Sequence, residues 1–212
     1  MTLMTMAAAT AEDSARDPTR WGSAEVAAHF PGFEHVDVRT RGAVIRLRHG
    51  GKIGSGPPLL LVHGNPQNHA CWYKIAARLA QHYHVILPDL RGYGDSSLPE
   101  PGADHMNYSF RSMAEYIRCY TLKTITGSCR DYRATATCDF VMDTADKDKK
   151  LAMPLMLLWG ARGHSPERAA EFLTIWRQYA SNIVATDAMN CGHYMQEEMP
   201  DRIVEHFSRF FV

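Results

Sequence analysis

Neither sign of charge dominates this chain. Lys and Arg together number 23, Asp and Glu also 23, and the formal net charge is zero. Such a balance argues against a nucleic-acid binder, and no basic cluster interrupts it. The runs Lys147-Asp-Lys-Lys150 and Arg39-Thr-Arg41 read as solvated faces. No Cys-x-x-Cys pair occurs. The five cysteines, Cys71, Cys119, Cys129, Cys138 and Cys191, are odd in number and scattered. They read as free thiols in a reducing, cytoplasmic setting. The eleven histidines include no His-Glu-x-x-His, so no metal is expected. No apolar run is long enough to span a bilayer, so no membrane partner is expected. The first twenty residues lack a basic start and a continuous apolar core, and carry Glu12, Asp13 and Asp17. They read as neither a secretory signal nor a transit peptide, and residues 1–29 are expected to form a disordered leader. No internal repeat is visible.

What is present is a globular composition, 45% apolar and 22% charged over 212 residues. Residues 36–41 and 43–48 alternate as strands do, with a turn at Arg41-Gly42. Residues 58–62 and 84–87 are continuous apolar runs, the pattern of strands buried on both faces. Between them, residues 72–82 carry Ile75, Ala76, Leu79 and Ala80 at helical spacing. Strand, helix and strand with short connections predict a βαβ unit. Residues 154–159 predict a third buried strand and 165–179 a helix, with Pro166 suited to its first position. A strand at 182–186 and an amphipathic helix at 200–211 follow, the latter with Ile203, Val204, Phe207 and Phe211 on one face. Residues 108–150 are polar and helical in propensity, an unusual centre for an α/β chain.

Five motifs stand in register. They are His63-Gly-Asn-Pro-Gln-Asn-His69, Pro88-Asp-Leu-Arg-Gly-Tyr-Gly-Asp-Ser96, Asp131-Tyr-Arg-Ala134, Leu158-Trp-Gly160 and Gly192-His193. In that order the chain resembles the haloacetate (fluoroacetate) dehalogenase branch of the α/β-hydrolase superfamily. Epoxide hydrolases and haloalkane dehalogenases share the framework. The resemblance implies an α/β-hydrolase fold, a mostly parallel sheet flanked by helices. It divides the chain into an N-terminal core at 30–115, a remnant of a helical cap at 116–150 and a C-terminal core at 151–212. It implies a small 2-haloacid as substrate and no cofactor, and leaves room for a homo-oligomer.

In such enzymes an aspartate displaces the halide, and a histidine activates the water that cleaves the resulting ester. The resemblance implies that His193 is that general base, that Asn65 supplies a backbone N–H to the oxyanion hole, and that Tyr132 donates to the departing halide. His63, Asp89, Arg91 and Trp72 read as structural. No nucleophile was found, because no Gly-x-Nuc-x-Gly turn occurs from Ser97 to Cys191. Asp131, Asp139 and Asp143 lie in helix-like sequence without flanking glycines. The two arginines that would hold the substrate carboxylate, the carboxylate that would orient the histidine, and the strands around the nucleophile are also unmatched. The gap falls at Glu115-Tyr116, so central strands and half the cap are expected to be missing. Residues 155–159 are then one candidate to pair with residues 59–62. The expected function is hydrolysis of a carbon–halogen bond by descent, in a chain that is itself inactive. An epoxide hydrolase-like enzyme or a non-catalytic binding remnant is the alternative.

Overall fold

The computed structural model describes residues 27–40, 42–54, 56–65, 67–99, 134–162 and 166–211. The chain divides into two compact units. One is built on residues 1–99 with 115–127, the other on 128–212 with 100–114.

In the first unit, β1 (Phe33–Thr40) and β2 (Ala43–Gly51) form an antiparallel pair. Thr40 faces Ala43, so the turn is Arg41-Gly42, and Gly42 adopts a φ of 86° that favours glycine. The register puts Asp37 opposite Arg46. Two parallel 2.6 Å hydrogen bonds from the guanidinium to the carboxylate lock that pairing. A short β3 (Leu59–Leu60) runs parallel to β4 (His84–Pro88), and the strand order is β1-β2-β4-β3. Between β3 and β4 a 3₁₀ turn at His69–Trp72 leads into α1 (Tyr73–Leu79). The helical path begins before the apolar spacing suggests, because the Asn68 side chain caps the Ala70 N–H at 2.9 Å. Ile75, Ala76 and Leu79 of α1 are buried, as are Leu59, Leu61, Val85 and Leu87 of the strands. Full burial of each large aliphatic side chain contributes about 1.5–3 kcal/mol.

Burial of residues 58–62 on both faces is not what forms. Leu59 and Leu61 are buried, but Leu60 is 56% and Val62 45% exposed. The cause is topological: among the described residues β3 is the last strand of its sheet, so it alternates like a strand covered on one side only. Nor does the strand at Leu155–Gly160 pair with it. Among the described residues that strand belongs to a separate two-stranded sheet.

The second unit opens with a π-helical turn at Thr135–Asp139 running into α2 (Phe140–Asp146). It continues with β5 (Leu155–Gly160), α3 (Pro166–Tyr179) and β6 (Ile183–Met189). β5 and β6 are parallel and α3 is their crossover. Pro166 opens α3, where its missing N–H leaves no bond unmade. Phe172 of α3 packs on Trp159 of β5 with ring centroids 5.1 Å apart. A short α4 (Met195–Glu198) precedes α5 (Pro200–Phe210). Ile203 of α5 is buried, and Asp187 of β6 holds the helix by accepting from Arg202 and His206, each at 2.7 Å. Partial burial pulls the Asp187 carboxyl up, but His206 and Arg202 outweigh it and leave it below its ordinary value.

The sheets are thus mixed: antiparallel from β1 through β2 to β4, and parallel at β3–β4 and β5–β6. Among the described residues no helix is long and apolar enough to cross a membrane.

Candidate active-site loops

The loop after β3 is held by its own histidine. His63 is buried, and its Nδ1 lies 3.1 Å from the Gly64 carbonyl oxygen. Its Nε2 accepts the Leu90 backbone N–H at 3.2 Å. A carbonyl needs a donor and an N–H needs an acceptor, so the ring is neutral with its proton on Nδ1. Burial pushes the His63 pKa down to about 4, against the pull of Asp89. His63 therefore clamps the loop as a neutral imidazole near neutral pH. Past it, the Gln67 N–H donates to the Gly64 oxygen at 2.8 Å and closes the turn that contains Asn65.

The loop after β4 is built around Asp89, which is fully buried. Its Oδ1 accepts both the backbone N–H and Nδ1 of His69 at 2.8 Å, and its Oδ2 accepts the Asp95 N–H at 2.9 Å. Burial pulls this carboxyl up, but His69, and more weakly His63, outweigh it and leave it below its ordinary value. The Ser96 hydroxyl donates to the Asp89 carbonyl and accepts the Arg46 N–H at 2.9 Å. The Asp89 and Ser97 N–H groups donate to the Arg46 and Val44 carbonyls, which ties both ends of this loop to β2. Gly94 sits against the Asp89 carboxylate, which a β-carbon there would overlap. The motif from Pro88 to Ser96 is thus a structural knot.

The histidine loop follows β6. A β-carbon on Gly160 would overlap the Gly192 carbonyl oxygen, so β5 must end in glycine where this loop crosses it. The Arg162 N–H donates to the Cys191 oxygen at 3.0 Å. Glu198 of α4 reaches back to the loop, where its Oε2 accepts the Gly192 N–H at 2.9 Å and the Arg162 guanidinium at 2.5 Å. The Gly192 N–H, together with the charge of Arg162, holds this carboxyl below its ordinary range against partial desolvation. Burial, with Glu198 nearby, pushes the Cys191 thiol up, which makes it a poor nucleophile. His193 itself is exposed, in edge contact with Tyr194 at 5.4 Å between centroids. Among the described residues no carboxylate hydrogen-bonds its imidazole.

Asn65 lies in the first unit and His193 in the second. Tyr132, Asp131 and the join at Glu115-Tyr116 lie outside the described residues. Asp139 and Asp143 lie in continuous helix, Asp139 with φ −65° and ψ −45°, so neither stands on a strained strand-to-helix turn. Among the described residues no group of three His, Cys, Asp or Glu converges as a metal site. Two contributors escaped the motif reading, Glu198 and the Asp187–His206 pair. The only sequence signal for Glu198 was its place one turn past the histidine loop.

An α/β-hydrolase-fold family model matches residues 57–128, the stretch that carries the His63 loop and the Asp89 knot. A solved candidate acyltransferase from Salmonella enterica superposes with a TM-score of 0.75 at 27% identity, covering 85% of this chain and 95% of that one. The chain has the α/β-hydrolase fold. A candidate α/β hydrolase from a Nostoc species superposes similarly, with a TM-score of 0.74 at 25% identity, over 85% and 98% of the two chains. Among curated hydrolases, a Burkholderia fluoroacetate dehalogenase is 51% identical over 85 residues, 40% of this chain and 27% of that protein. A Corynebacterium soluble epoxide hydrolase is 46% identical over 65 residues, 31% of this chain and 21% of that protein. The chain spans about a quarter of the length of the curated relatives it matches.

Proposed function

We propose that this chain derives from a hydrolase of 2-haloacids of the fluoroacetate dehalogenase kind and does not itself turn over. The observation that carries the reading is the preserved loop after β3, where buried His63 fixes the turn containing Asn65. A stretch of 85 residues of this chain is 51% identical to a protein named for that activity. In the proposed ancestral site the Asn65 backbone N–H faces the developing oxyanion, Tyr132 donates to the leaving halide, and His193 activates the hydrolytic water. Hydrolysis through an aspartyl ester requires a carboxylate delivered at the halogen-bearing carbon. The aspartates in helical sequence do not offer that presentation. Among the described residues His193 also has no carboxylate partner to hold one tautomer and one orientation. The missing turn and strands reflect an internal deletion at Glu115-Tyr116.

Incubating purified protein with fluoroacetate and measuring free fluoride tests this directly. No fluoride above a buffer control is expected. Release abolished by His193→Ala would overturn the inactive reading and support the substrate assignment. The overlap with the Corynebacterium epoxide hydrolase makes an epoxide the second substrate to assay, with diol as its product.

A further inference from the structure

We infer that His49 of β2 and His84 of β4 form a two-imidazole chelate for a divalent transition-metal ion such as Zn²⁺, apart from the hydrolase loops. His49 faces Ile86 in the antiparallel register, and His84 lies two residues from Ile86 on the same strand. The two rings therefore share one face of the sheet as a diagonal pair. Directly opposite His84 is Gly51, which puts no side chain between them. The Lys52 N–H donates to the Tyr83 carbonyl at 3.0 Å and pins this end of the two strands together. Both rings are half-buried, with centroids 5.5 Å apart and planes at 80°.

The facing nitrogens, His84 Nε2 and His49 Nδ1, are 3.4 Å apart. That is long for an N–H donor, whose usual reach is about 2.7–3.2 Å. It is also the span that two nitrogens bound at about 2.0–2.1 Å take around a tetrahedral ion, roughly 3.4 Å. Imidazole suits zinc, copper and nickel and does not suit magnesium or calcium. Among the described residues no third ligand already converges, so water completes the shell. Glu34 stands opposite His49 on β1 and adds negative charge to the same face.

Calorimetric titration of the reduced full chain with Zn²⁺ at neutral pH tests the site. One equivalent is expected to bind, with affinity at least tenfold weaker in His49→Gln and in His84→Gln. His82→Gln, an exposed neighbour, should bind like the parent. Absence of binding overturns the inference. So does binding unchanged in either histidine variant, since ions held by the cysteines or by unfolded chain would survive those substitutions.

Discussion

Asp89 holds His69 twice through one oxygen, accepting the backbone N–H and the ring Nδ1 each at 2.8 Å. This pair joins the start of α1's helical path to the loop after β4, and both side chains are buried. The aspartate is therefore a structural group in a position where α/β sheets often place ligands. Its second oxygen adds the Asp95 N–H, so one carboxylate satisfies three donors.

Asp89→Ala strips all three donors at once. A buried donor left unsatisfied costs about 1–3 kcal/mol. A loss of at least about 3 kcal/mol is expected in urea unfolding. A change under about 1 kcal/mol would show that the knot contributes little.

The stability of the first unit should depend on pH through His63. An unfolded histidine titrates near 6.5 and folded His63 at about 4. Between those values the unfolded chain binds the proton and the folded one does not. Stability is thus full above pH 6.5, falls as pH drops, and this loss levels off near pH 4. The total is about 3 kcal/mol. His63→Asn should flatten that slope in denaturation curves taken at a series of pH values, and an unaltered slope would assign it elsewhere. Asp89, whose carboxyl is lowered, adds a loss of the same sign only at more acid pH, through and below its ordinary value of 3.8.

Gly160→Ala should destabilise the second unit by about 1–3 kcal/mol, the usual range for a forced overlap. The obstacle is the backbone carbonyl of Gly192, which cannot rotate away as a side chain can. A thermal midpoint equal to the parent's would mean that the histidine loop does not rest on β5.

Glu198→Ala removes the acceptor of the Gly192 N–H. Hydrogen exchange at Gly192 should accelerate, while the amides paired between β5 and β6 keep their protection. Equal exchange at Gly192 in both proteins would show that α4 does not anchor the loop.

Much of this was legible along the chain. The β1–β2 hairpin, the α1 spacing and the Pro166 helix start all reflect interactions within a few residues. The motifs from His63 to His69 and from Pro88 to Ser96 marked the two loops. Their glycines and serines could be placed, but not the reason for them: Gly94 makes room for a carboxylate five residues back, and Ser96 bonds a strand fifty residues away. Glu198 and Asp187 were silent because an exposed-looking acid gains meaning only from what folds against it.

Local sequence, then, set the elements and the loop motifs, since turns, caps and apolar periodicity are short-range properties. Tertiary structure decided the rest. It left Leu60 and Val62 exposed where, among the described residues, the sheet ends, made His63 a neutral clamp, and placed Leu155–Gly160 beside β6. Strand neighbours and burial are settled by which backbone edges remain open after folding, and no window of sequence contains that information.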